Sequence, residues 1–440
     1  MKKTVKKRKT TKSKKYKGIV TVIGLGYVGL PLACLCVEKG YKTFGVAIDR
    51  KKINMINRGE NPLTDEPELN QIIAKKLISA DTSFENVSKS DVIVICVPTP
   101  VDKLHHPDLT PVKSASKSVS KYLKKGQLVV IESTINPGVC QEIVQPIIDK
   151  ESGMEAGKDY FLAHSPERVN PGDPVWKVRN IPRVVGAISK KGLKVALKFY
   201  GNILDGSVRG MKSIKEAEAT KVIENSFRDI NIAFVNELAK SFDKLGIDLY
   251  DTLEGASTKP FAYLPHWPSI GVGGHCIPVD PYYLIERAKL AGFDHKFLKM
   301  SREINNSMPK YAVGLLSKML NKISRPMMNT SVGVLGLSYK ANVGDIRESP
   351  SLEVIKLLQE HGSKVEIFDP YFQDKSTVNS LEDLLKKVDV IVVATNHKEF
   401  VNISSTLLKK YKIKMVLDGK NCLDKAKIQK AKIIYKGIGR

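Results

Sequence analysis

The chain has 440 residues, 42% of them hydrophobic and 27% charged, with a formal net charge of +25. These values are typical of globular proteins and exclude a wholly disordered chain, and the length predicts two or three domains of about 100–200 residues each. Residues 1–17 hold ten lysines and arginines and no acidic residue, which predicts a basic disordered tail. No aromatic-interleaved basic motif follows it, so a nucleic-acid partner is not expected.

The apolar runs and the cysteines indicate the compartment. No run of about 18 apolar residues is present, so no membrane span is expected. The first apolar run is interrupted by glycines, unlike the core of a secretory signal. The six cysteines are scattered, without CxxC pairs or metal-ligand spacing. This pattern predicts a cytoplasmic protein with free thiols and no metal site.

A glycine-rich turn follows the first apolar run, GIVTVIGLGYVGL. Gly24 permits a tight turn, Gly26 lets the backbone approach a pyrophosphate, and Gly29 lets the following helix pack on the strand. Tyr27 and Val28 lie inside this turn. Because a helix N-terminus also attracts phosphate, we predict a dinucleotide-binding domain with these five residues at the cofactor.

Polar residues follow three further predicted strands, and a parallel sheet collects such residues at its cofactor crevice. The strand YKTFGVAIDR leads to Asp49, which we expect to accept the ribose hydroxyls, next to Arg50. The strands DVIVICV and QLVVIES lead into turns with Thr99 and Thr134. All four residues are therefore predicted to contact the cofactor.

Residues 213–245 have apolar side chains at three- and four-residue steps, which predicts one long amphipathic helix. Its apolar positions are Ile223, Phe227, Ile230, Phe234, Leu238 and Phe242. This apolar face looks too long for one small domain, so we predict a homodimer formed along it. Lys221 and Asn225 lie four residues apart on the helix and share a face.

Cys276 lies in the segment GVGGHCIPVD, where Gly273 offers bare backbone before the thiol and Asp280 follows it. A thiolate near a cation and an amide donor can attack an aldehyde, and the resulting oxyanion needs such donors. Lys221 and Asn225 supply these two groups. Without such neighbours, a cysteine is usually a small buried apolar residue.

The last part of the chain predicts a second, smaller α/β unit. Strand-like runs begin at 332 and recur at 364–369, 389–395 and 413–418, alternating with helical segments. The predicted fold class is α/β, with two Rossmann-like doubly wound parallel sheets joined by a long central helix and a helical dimerisation region. The predicted domains are 18–205 for the cofactor, 206–310 for the thiol and 325–440 for a nucleotide.

Eight motifs along residues 18–425 resemble those of the nucleotide-sugar 6-dehydrogenases, the family of UDP-glucose and GDP-mannose dehydrogenases. They are GLGYVGLP, CVPTP, ESTINPG, SPERVNPG, KVIENSFRDIN, GVGGHCIPVDP, YKANVGDIRESP and DGKN. SPERVNPG and GGHCIPVDPYYL look like the branch acting on UDP-N-acetylhexosamines, and ASTKPF leans towards UDP-N-acetylglucosamine over UDP-N-acetylmannosamine. A UDP-glucose 6-dehydrogenase is the alternative within the family.

The resemblance implies a four-electron oxidation of a sugar C6 alcohol to a carboxylate with two NAD⁺. It also implies a role in polysaccharide biosynthesis. Cys276 would trap the aldehyde as a thiohemiacetal, and the second oxidation would give a thioester that water hydrolyses. Lys221 and Asn225 would stabilise the oxyanions. Asp280 and a water near Thr134 would move protons.

The resemblance also assigns residues to the UDP-sugar. Glu167 would act as acid and base in the hydrolysis, and Lys340 would hold the UDP phosphates. The implied substrate-binding residues are Glu167, Arg168, Lys221, Asn225, Gly273, Lys340 and Arg347. A covalent thiol adduct keeps the aldehyde in place for the second oxidation, so one pocket performs both steps.

Four departures from the family pattern bear on specificity. The usual ribose-binding acid falls at Ala47, and strand alternation predicts that Asp49, two residues on, lies on the same side. NAD is expected, and Arg50 leaves NADP as the alternative. The loop before the thiol reads PSIG in place of PGPG, and DD becomes Gly344-Asp345. Lys420 replaces an arginine, which removes a planar fork.

Two other classes fit part of the chain. A single-step hydroxyacid or alcohol dehydrogenase would share the first domain and a helical second domain, but it needs neither the thiol nor the third domain. A nucleotide-sugar sensor or basic scaffold would bind the UDP-sugar without reducing a cofactor.

Overall fold

The computed structural model describes residues 16–63, 66–102, 106–169, 173 and 175–440. The predicted basic tail therefore lies outside the described residues except for its last two positions. The chain divides into two compact units. The first comprises the residues up to 99, 109–133 and 138–218, and the second comprises 100–108, 134–137 and 219–440. The domain boundaries proposed from the sequence remain predictions.

The first unit is built on an eight-stranded sheet in the order β3-β2-β1-β4-β5-β6-β7-β8. Its strands are β1 Ile19–Ile23, β2 Lys42–Val46, β3 Ile78–Asp81, β4 Val92–Ile95, β5 Leu128–Ile131, β6 Phe161–His164, β7 Arg183–Ala187 and β8 Val208–Gly210. Only the β6–β7 pair is antiparallel. Ile23 pairs with both Val46 and Ile95, so the three central strands end at one level and their following turns lie side by side.

Six α-helices accompany this sheet in the described residues: α1 Gly29–Glu38, α2 Arg50–Arg58, α3 Asn70–Ile73, α4 Thr110–Ser120, α5 Gln145–Ser152 and α6 Lys190–Ile203. Every residue of α1 from Gly29 to Cys36 is buried, because this helix packs in the core with β1 and β2. That burial fits its almost wholly apolar sequence. A helix that is apolar on all sides is stable only when it is enclosed.

Helix α7 runs from Ile214 to Leu245 without interruption over 32 residues. Its first residues, up to Glu218, belong to the first unit and the rest to the second. The single long helix predicted over 213–245 is thus confirmed.

The second unit contains a five-stranded parallel sheet in the order β10-β9-β11-β12-β13. Its strands are β9 Ser331–Leu335, β10 Lys364–Phe368, β11 Val390–Val393, β12 Met415–Asp418 and β13 Ile434–Gly437. Its remaining helices are α8 Leu249–Ser257, α9 Asp280–Leu290, α10 Lys296–Asn306, α11 Met308–Asn321, α12 Pro350–Glu360, α13 Leu381–Lys387, α14 Lys398–Val401, α15 Ser405–Lys410 and α16 Lys425–Lys430. Helix α11 and the strands β9, β11 and β12 share one apolar core.

The predicted fold class is confirmed: a large, mostly parallel sheet and a second parallel sheet occur with a long central helix. The sequence interpretation missed the strands β3, β6, β7, β8 and β13. In the part of the chain that the structure describes, no helix combines the length and the apolar character needed to cross a membrane.

Candidate functional site

The glycine turn after β1 has the geometry of a phosphate cradle. Gly24 has a φ of 94°, and a Cβ there would lie 2.5 Å from the carbonyl oxygen of Cys96. A Cβ on Gly29 would lie 1.9 Å from the carbonyl oxygen of Gly24. At Gly26, in contrast, a Cβ would meet no atom within 4 Å. Two glycines are therefore required by packing, whereas the third leaves open space beside the backbone, which fits a pyrophosphate.

The remaining turn residues precede α1. Val28 is the residue before the first helical position, Gly29. Tyr27 packs partly buried against the core of the first unit. The N-terminus of α1 thus follows directly on the open space at Gly26, where its dipole favours an anion.

Asp49 caps the next helix. Its Oδ1 accepts the backbone N–H of Lys51 at 2.9 Å and that of Lys52 at 3.2 Å, so it is the N-cap of α2, which begins at Arg50. Strand β2 ends at Val46, so strand alternation does not extend to Ala47 and Asp49, and that part of the sequence interpretation was wrong. The assignment of Asp49 and Arg50 to the cofactor remains a prediction.

Thr99 and Thr134 fall in different compact units. Thr99 lies in the turn that follows β4 in the first unit. In this turn the carbonyl of Val97 accepts a hydrogen bond from the hydroxyl of Ser133 at 2.7 Å. Thr134 belongs to the second unit, and nearby Asn136 donates its Nδ2 to the carbonyl of Tyr283 on α9 at 3.0 Å. Segment 134–137 is therefore held on the helix that begins at Asp280.

Glu167 lies in a buried charge cluster that the sequence interpretation missed. Its Oε2 pairs with Arg183, a residue at the start of β7 that is 1% exposed, and its Oε1 accepts the backbone N–H of Arg168 and of Val169, each at 2.7 Å. Arg183 also lies 3.4 Å from Oε2 of Glu132. Because one guanidinium serves two buried carboxylates, this cluster fixes the segment that carries Glu167.

Two further groups complete this cluster and its surroundings. The hydroxyl of Tyr200 donates to Glu132 Oε1 at 2.5 Å. Arg168 points elsewhere, because its Nη1 donates to the carbonyl of Pro182 at 2.9 Å. The structure therefore places Glu167 and Arg168 in the first unit, in different hydrogen-bonding environments.

Cys276 and its predicted neighbours lie together in the second unit. Asn225 Nδ2 donates to Asp280 Oδ2 at 2.5 Å, and the backbone N–H of Asp280 donates to the carbonyl of Cys276 at 2.8 Å. The exposed fractions of Lys221, Asn225 and Asp280 are 8%, 5% and 3%. A lysine, an amide and a carboxylate so deeply buried are rare unless they are paired or functional.

The electrostatics of the thiol and the carboxylate are linked. Burial and the nearby Asp280 raise the pKa of Cys276 to about 11, against the effect of Lys221. Burial likewise raises the pKa of Asp280 to about 6, against the effects of Lys221 and Asn225. Asp280 thus changes charge near neutral pH, whereas the thiol keeps its proton until something removes it. The pair has the protonation states that a nucleophile and its base require.

The segment that precedes Cys276 packs closely against the loop after β9. A Cβ on Gly273 would lie 2.6 Å from Tyr339 Cβ, and one on Gly274 would lie 2.7 Å from the Tyr339 ring. Gly274 also donates its N–H to the carbonyl of Arg347 at 3.0 Å. Lys340 follows Tyr339 directly and is half-buried. The predicted substrate residues Gly273, Lys340 and Arg347 therefore belong to two touching segments.

Arg347 and His275 flank Asp345, one of the departures from the family pattern. Arg347 forms a bidentate pair with Asp345, with Nη2 to Oδ2 at 2.6 Å. The Nδ1 of His275 lies 3.8 Å from the same oxygen. Burial and the charge of Arg347 lower the pKa of His275 to about 4, so this ring is neutral at pH 7. The sequence interpretation did not single out His275.

The PSIG loop packs against the residue before Lys420, another departure. Ile270 of the PSIG loop is fully buried, and a Cβ on Gly419 would lie 2.5 Å from its Cγ2. Gly419 precedes Lys420, whose pKa is lowered by burial. Ser269 anchors the loop, because its N–H donates to Asn236 Oδ1 on α7 at 3.0 Å. The altered loop therefore packs on the residue that precedes the altered basic residue.

Among the described residues, no group of three or more His, Cys, Asp and Glu side chains is arranged to hold a metal ion. The first unit contains a glycine turn shaped for a dinucleotide, and the second contains a thiol with a buried amide, lysine and carboxylate. These features fit a dinucleotide-dependent dehydrogenase that uses a thiol.

The models of one family match all three parts of the chain. The NAD binding domain of the UDP-glucose/GDP-mannose dehydrogenase family matches residues 19–204, its central domain 215–307 and its UDP binding domain 333–425. The chain therefore belongs to the UDP-glucose/GDP-mannose dehydrogenase family, and the predicted family is confirmed.

Similar proteins carry names from the N-acetylhexosamine branch. A UDP-N-acetyl-D-mannosamine dehydrogenase of Pyrococcus horikoshii is 35% identical over 96% of this chain and 99% of its own length. A UDP-N-acetyl-D-glucosamine 6-dehydrogenase of Pseudomonas aeruginosa is 35% identical over 91% of this chain and 97% of its own. The solved structure of a UDP-D-ManNAc dehydrogenase from Pyrococcus horikoshii superposes with a TM-score of 0.89, at 34% identity over 96% of this chain and 99% of that one.

Proposed function

We propose that the chain oxidises the C6 hydroxyl of a UDP-N-acetylhexosamine to the uronic acid, with two NAD⁺ consumed per sugar. UDP-N-acetylglucosamine is the substrate favoured by ASTKPF, and UDP-N-acetylmannosamine is the close alternative, because relatives of both names are equally similar. The observation that carries the proposal is the buried contact between Asn225 and Asp280 beside the Cys276 backbone.

The residues around the thiol suit a covalent route. Because the pKa of Cys276 is about 11, its attack on an aldehyde carbonyl requires a base, and Asp280 is the carboxylate bonded to the same turn. Lys221 and Asn225 then provide a cation and an amide donor for the oxyanion of the thiohemiacetal. When bound at the glycine turn, NAD⁺ supplies the acceptor for each hydride.

The thioester formed at Cys276 is then hydrolysed, and two groups are proposed to assist the attacking water. Thr134 lies in the segment held on α9 through Asn136, and Glu167 keeps its acid and base role from the family resemblance. Lys340 and Arg347 would contact the UDP part, and Arg168 and Gly273 the sugar nucleotide. NADP as cofactor, cytoplasmic location and a place in polysaccharide biosynthesis remain predictions.

The decisive experiment is a stoichiometry. Purified protein with UDP-N-acetylglucosamine or UDP-N-acetylmannosamine, and with NAD⁺ or NADP⁺ in separate reactions, is expected to reduce two cofactors per sugar and to release uronic acid. C276S should lose at least about 10³-fold in rate, because an alcohol is far less acidic than a thiol and a poor leaving group. One cofactor per sugar, with free aldehyde and an unchanged rate in C276S, would instead identify a single-step dehydrogenase.

A homodimer through α7 is also proposed. Ile223, Phe227 and Phe234 remain 58%, 48% and 56% exposed, at spacings of four and seven residues that put them on one helix face. Leu238 and Phe242, further along, pack partly against the core of the second unit. The exposed apolar stripe is therefore the part of α7 that a second copy of the chain would cover.

A further inference from the structure

A buried histidine–aspartate pair lies in the second unit and is not part of the site described above. His397 and Asp369 are both fully buried, and the His397 Nε2 lies 3.2 Å from Asp369 Oδ2. Asp369 follows strand β10 and His397 follows β11, and β9 pairs with both of these strands. The loop that follows β9 contains Tyr339 and Lys340, so the pair lies at the carboxyl end of the strand that leads to Lys340.

The hydrogen bonds of His397 define its tautomer. The backbone N–H of Asn342 donates to Nδ1 at 2.9 Å, so this nitrogen carries no proton. Nε2 therefore carries the proton, and its N–H donates a hydrogen bond to Asp369 Oδ2. The ring is also stacked on Tyr371, with 5.0 Å between centroids. Both nitrogens of the neutral ring are hydrogen-bonded, so the residue does more than fill space. A leucine or phenylalanine at this position would leave the Asn342 N–H and Asp369 without these hydrogen bonds.

These bonds hold the loop at two points on either side of Lys340. Before it, Asp369 Oδ2 accepts the N–H of Leu337 at 2.6 Å and that of Ser338 at 2.9 Å. After it, the N–H of Asn342 is bound by His397, and Asn342 adopts a left-handed φ of 59°. Lys340 thus lies between two anchors that meet at one histidine–aspartate pair.

The hydrogen bonds around Asp369 also stabilise its ionised form. Although burial acts in the opposite sense, hydrogen bonds from His397 and from backbone N–H groups hold the pKa of Asp369 far below its usual range. The side chain of Asn342 makes a second contact that fixes the turn: the Oδ1 of Asn342 accepts the N–H of Lys398 at 3.0 Å. The loop is therefore tied to the ends of β10 and β11 on both sides of Lys340.

We infer that His397 is a positioning residue for nucleotide binding: its neutral ring, fixed by Asp369, holds the 337–342 loop so that Lys340 meets the diphosphate of the substrate. The inference rests on the proposed function, which assigns Lys340 to the UDP phosphates. It adds a residue that contacts neither the sugar nor the thiol but sets the affinity for the nucleotide end.

The test uses two substitutions that each keep half of the ring's hydrogen bonding. H397N retains an acceptor near the position of Nδ1 and loses the donor to Asp369, whereas H397Q retains a donor near Nε2 and loses the acceptor for Asn342. H361N, at an exposed histidine that ends α12, is the matched control. Calorimetric titration with UDP and amide hydrogen exchange of residues 337–342 are measured for each full-length protein.

We expect H397Q to expose the Asn342 amide to exchange and to weaken UDP binding about tenfold to hundredfold, as the loss of a buried hydrogen bond implies. H397N should keep that amide protected and recover most of the affinity. In turnover, the KM for the UDP-sugar should rise in H397Q while kcat stays within about threefold of wild type, a split that general destabilisation would not produce. H361N should match the wild type in every measurement.

The outcomes separate the two proposals. If the wild type binds UDP and H397Q binds it within twofold, with the Asn342 amide still protected, the positioning role is overturned while the proposed function stands. The positioning role is likewise overturned if H397N and H397Q lose affinity equally without any change in exchange. If the wild type fails to bind UDP, the assignment of Lys340 is wrong, and the proposed function and this inference are overturned together.

Discussion

Asp280 is the residue whose charge state controls the proposed chemistry. Its carboxylate lies against Asn225, and burial raises its pKa to about 6. As a base it must be ionised, so the reactive form of the free protein is gained as pH rises through that value. A thiol with a pKa of about 11 gives no competing transition near neutrality.

The first prediction follows for the pH profile. For the wild type, kcat/KM should rise about tenfold per pH unit below pH 6 and level off above it. D280N should lose about 10²–10⁴-fold in kcat/KM at pH 7.5 and should lose that acidic limb, because an amide cannot accept the proton. The measurement is initial cofactor reduction between pH 5 and 9.

A matched control separates this effect from a general loss of charge. Asp251 is an exposed aspartate near the start of α8 in the same unit, and D251N should leave both the rate and the profile unchanged. An acidic limb that persists in D280N would show that another group is the base.

At the same scale, spacing predicted only pairs that are close in the chain, whereas Asn225 and Asp280, 55 residues apart, were brought to one site by the family resemblance. Lys221 with Asn225, and Cys276 with Asp280, each lie within five residues, so spacing alone brought each pair together. Arg183 and His397 meet their carboxylates only after distant strands align. A histidine in the turn that follows an apolar strand, such as His397 after VIVVATN, is the signal that would have found the second of them.

The turn between β1 and α1 is the element that we predict to bind the cofactor. Two of its glycines lie in different surroundings. Gly24 has a left-handed backbone and is closely packed, whereas Gly26 faces open space. Folding and binding can therefore be separated by mutation within three residues.

G26A is expected to leave the unfolding temperature within about 1 °C of the wild type, because its new methyl group meets no protein atom. It should nevertheless weaken NADH binding about tenfold or more, about 1.4 kcal/mol, because that methyl group occupies the space into which the pyrophosphate must come. G24A, in comparison, should lower the free energy of unfolding by at least about 1 kcal/mol. Fluorescence titration and thermal unfolding measure the two effects. Unchanged affinity in G26A would place the pyrophosphate elsewhere.

Element prediction succeeded where several β-branched residues stand together between glycine or charged residues. IVTVI, VIVI, LVVI and VIVV all proved to be strands. The missed strands are short and mixed, such as ISAD in β3 and FLAH in β6. Their strand conformation depends on neighbouring strands that are already paired, a tertiary effect that composition does not contain.

At the scale of the whole molecule, the apolar stripe of α7 bears on assembly. Three large apolar side chains stand about half exposed along one face of a 32-residue helix. Isolated exposed apolar residues are common in single chains, but a row of them at helical spacing marks an interaction surface. In the homodimer proposed above, a second copy of the chain covers this surface with the same row, in the self-complementary contact that a two-fold axis requires.

F234K is therefore expected to halve the molecular mass measured by light scattering at micromolar concentration, because a lysine within the apolar seam of the proposed dimer must be desolvated without a partner. Phe297, on α10, is 67% exposed and lies outside this stripe, so F297K is the matched control and should leave the mass unchanged. Circular dichroism of both variants should retain the wild-type helical signal. A wild-type protein with the mass of one chain would contradict the dimer directly. A dimer that survives in F234K would move the interface away from α7 and leave its exposed stripe to another partner.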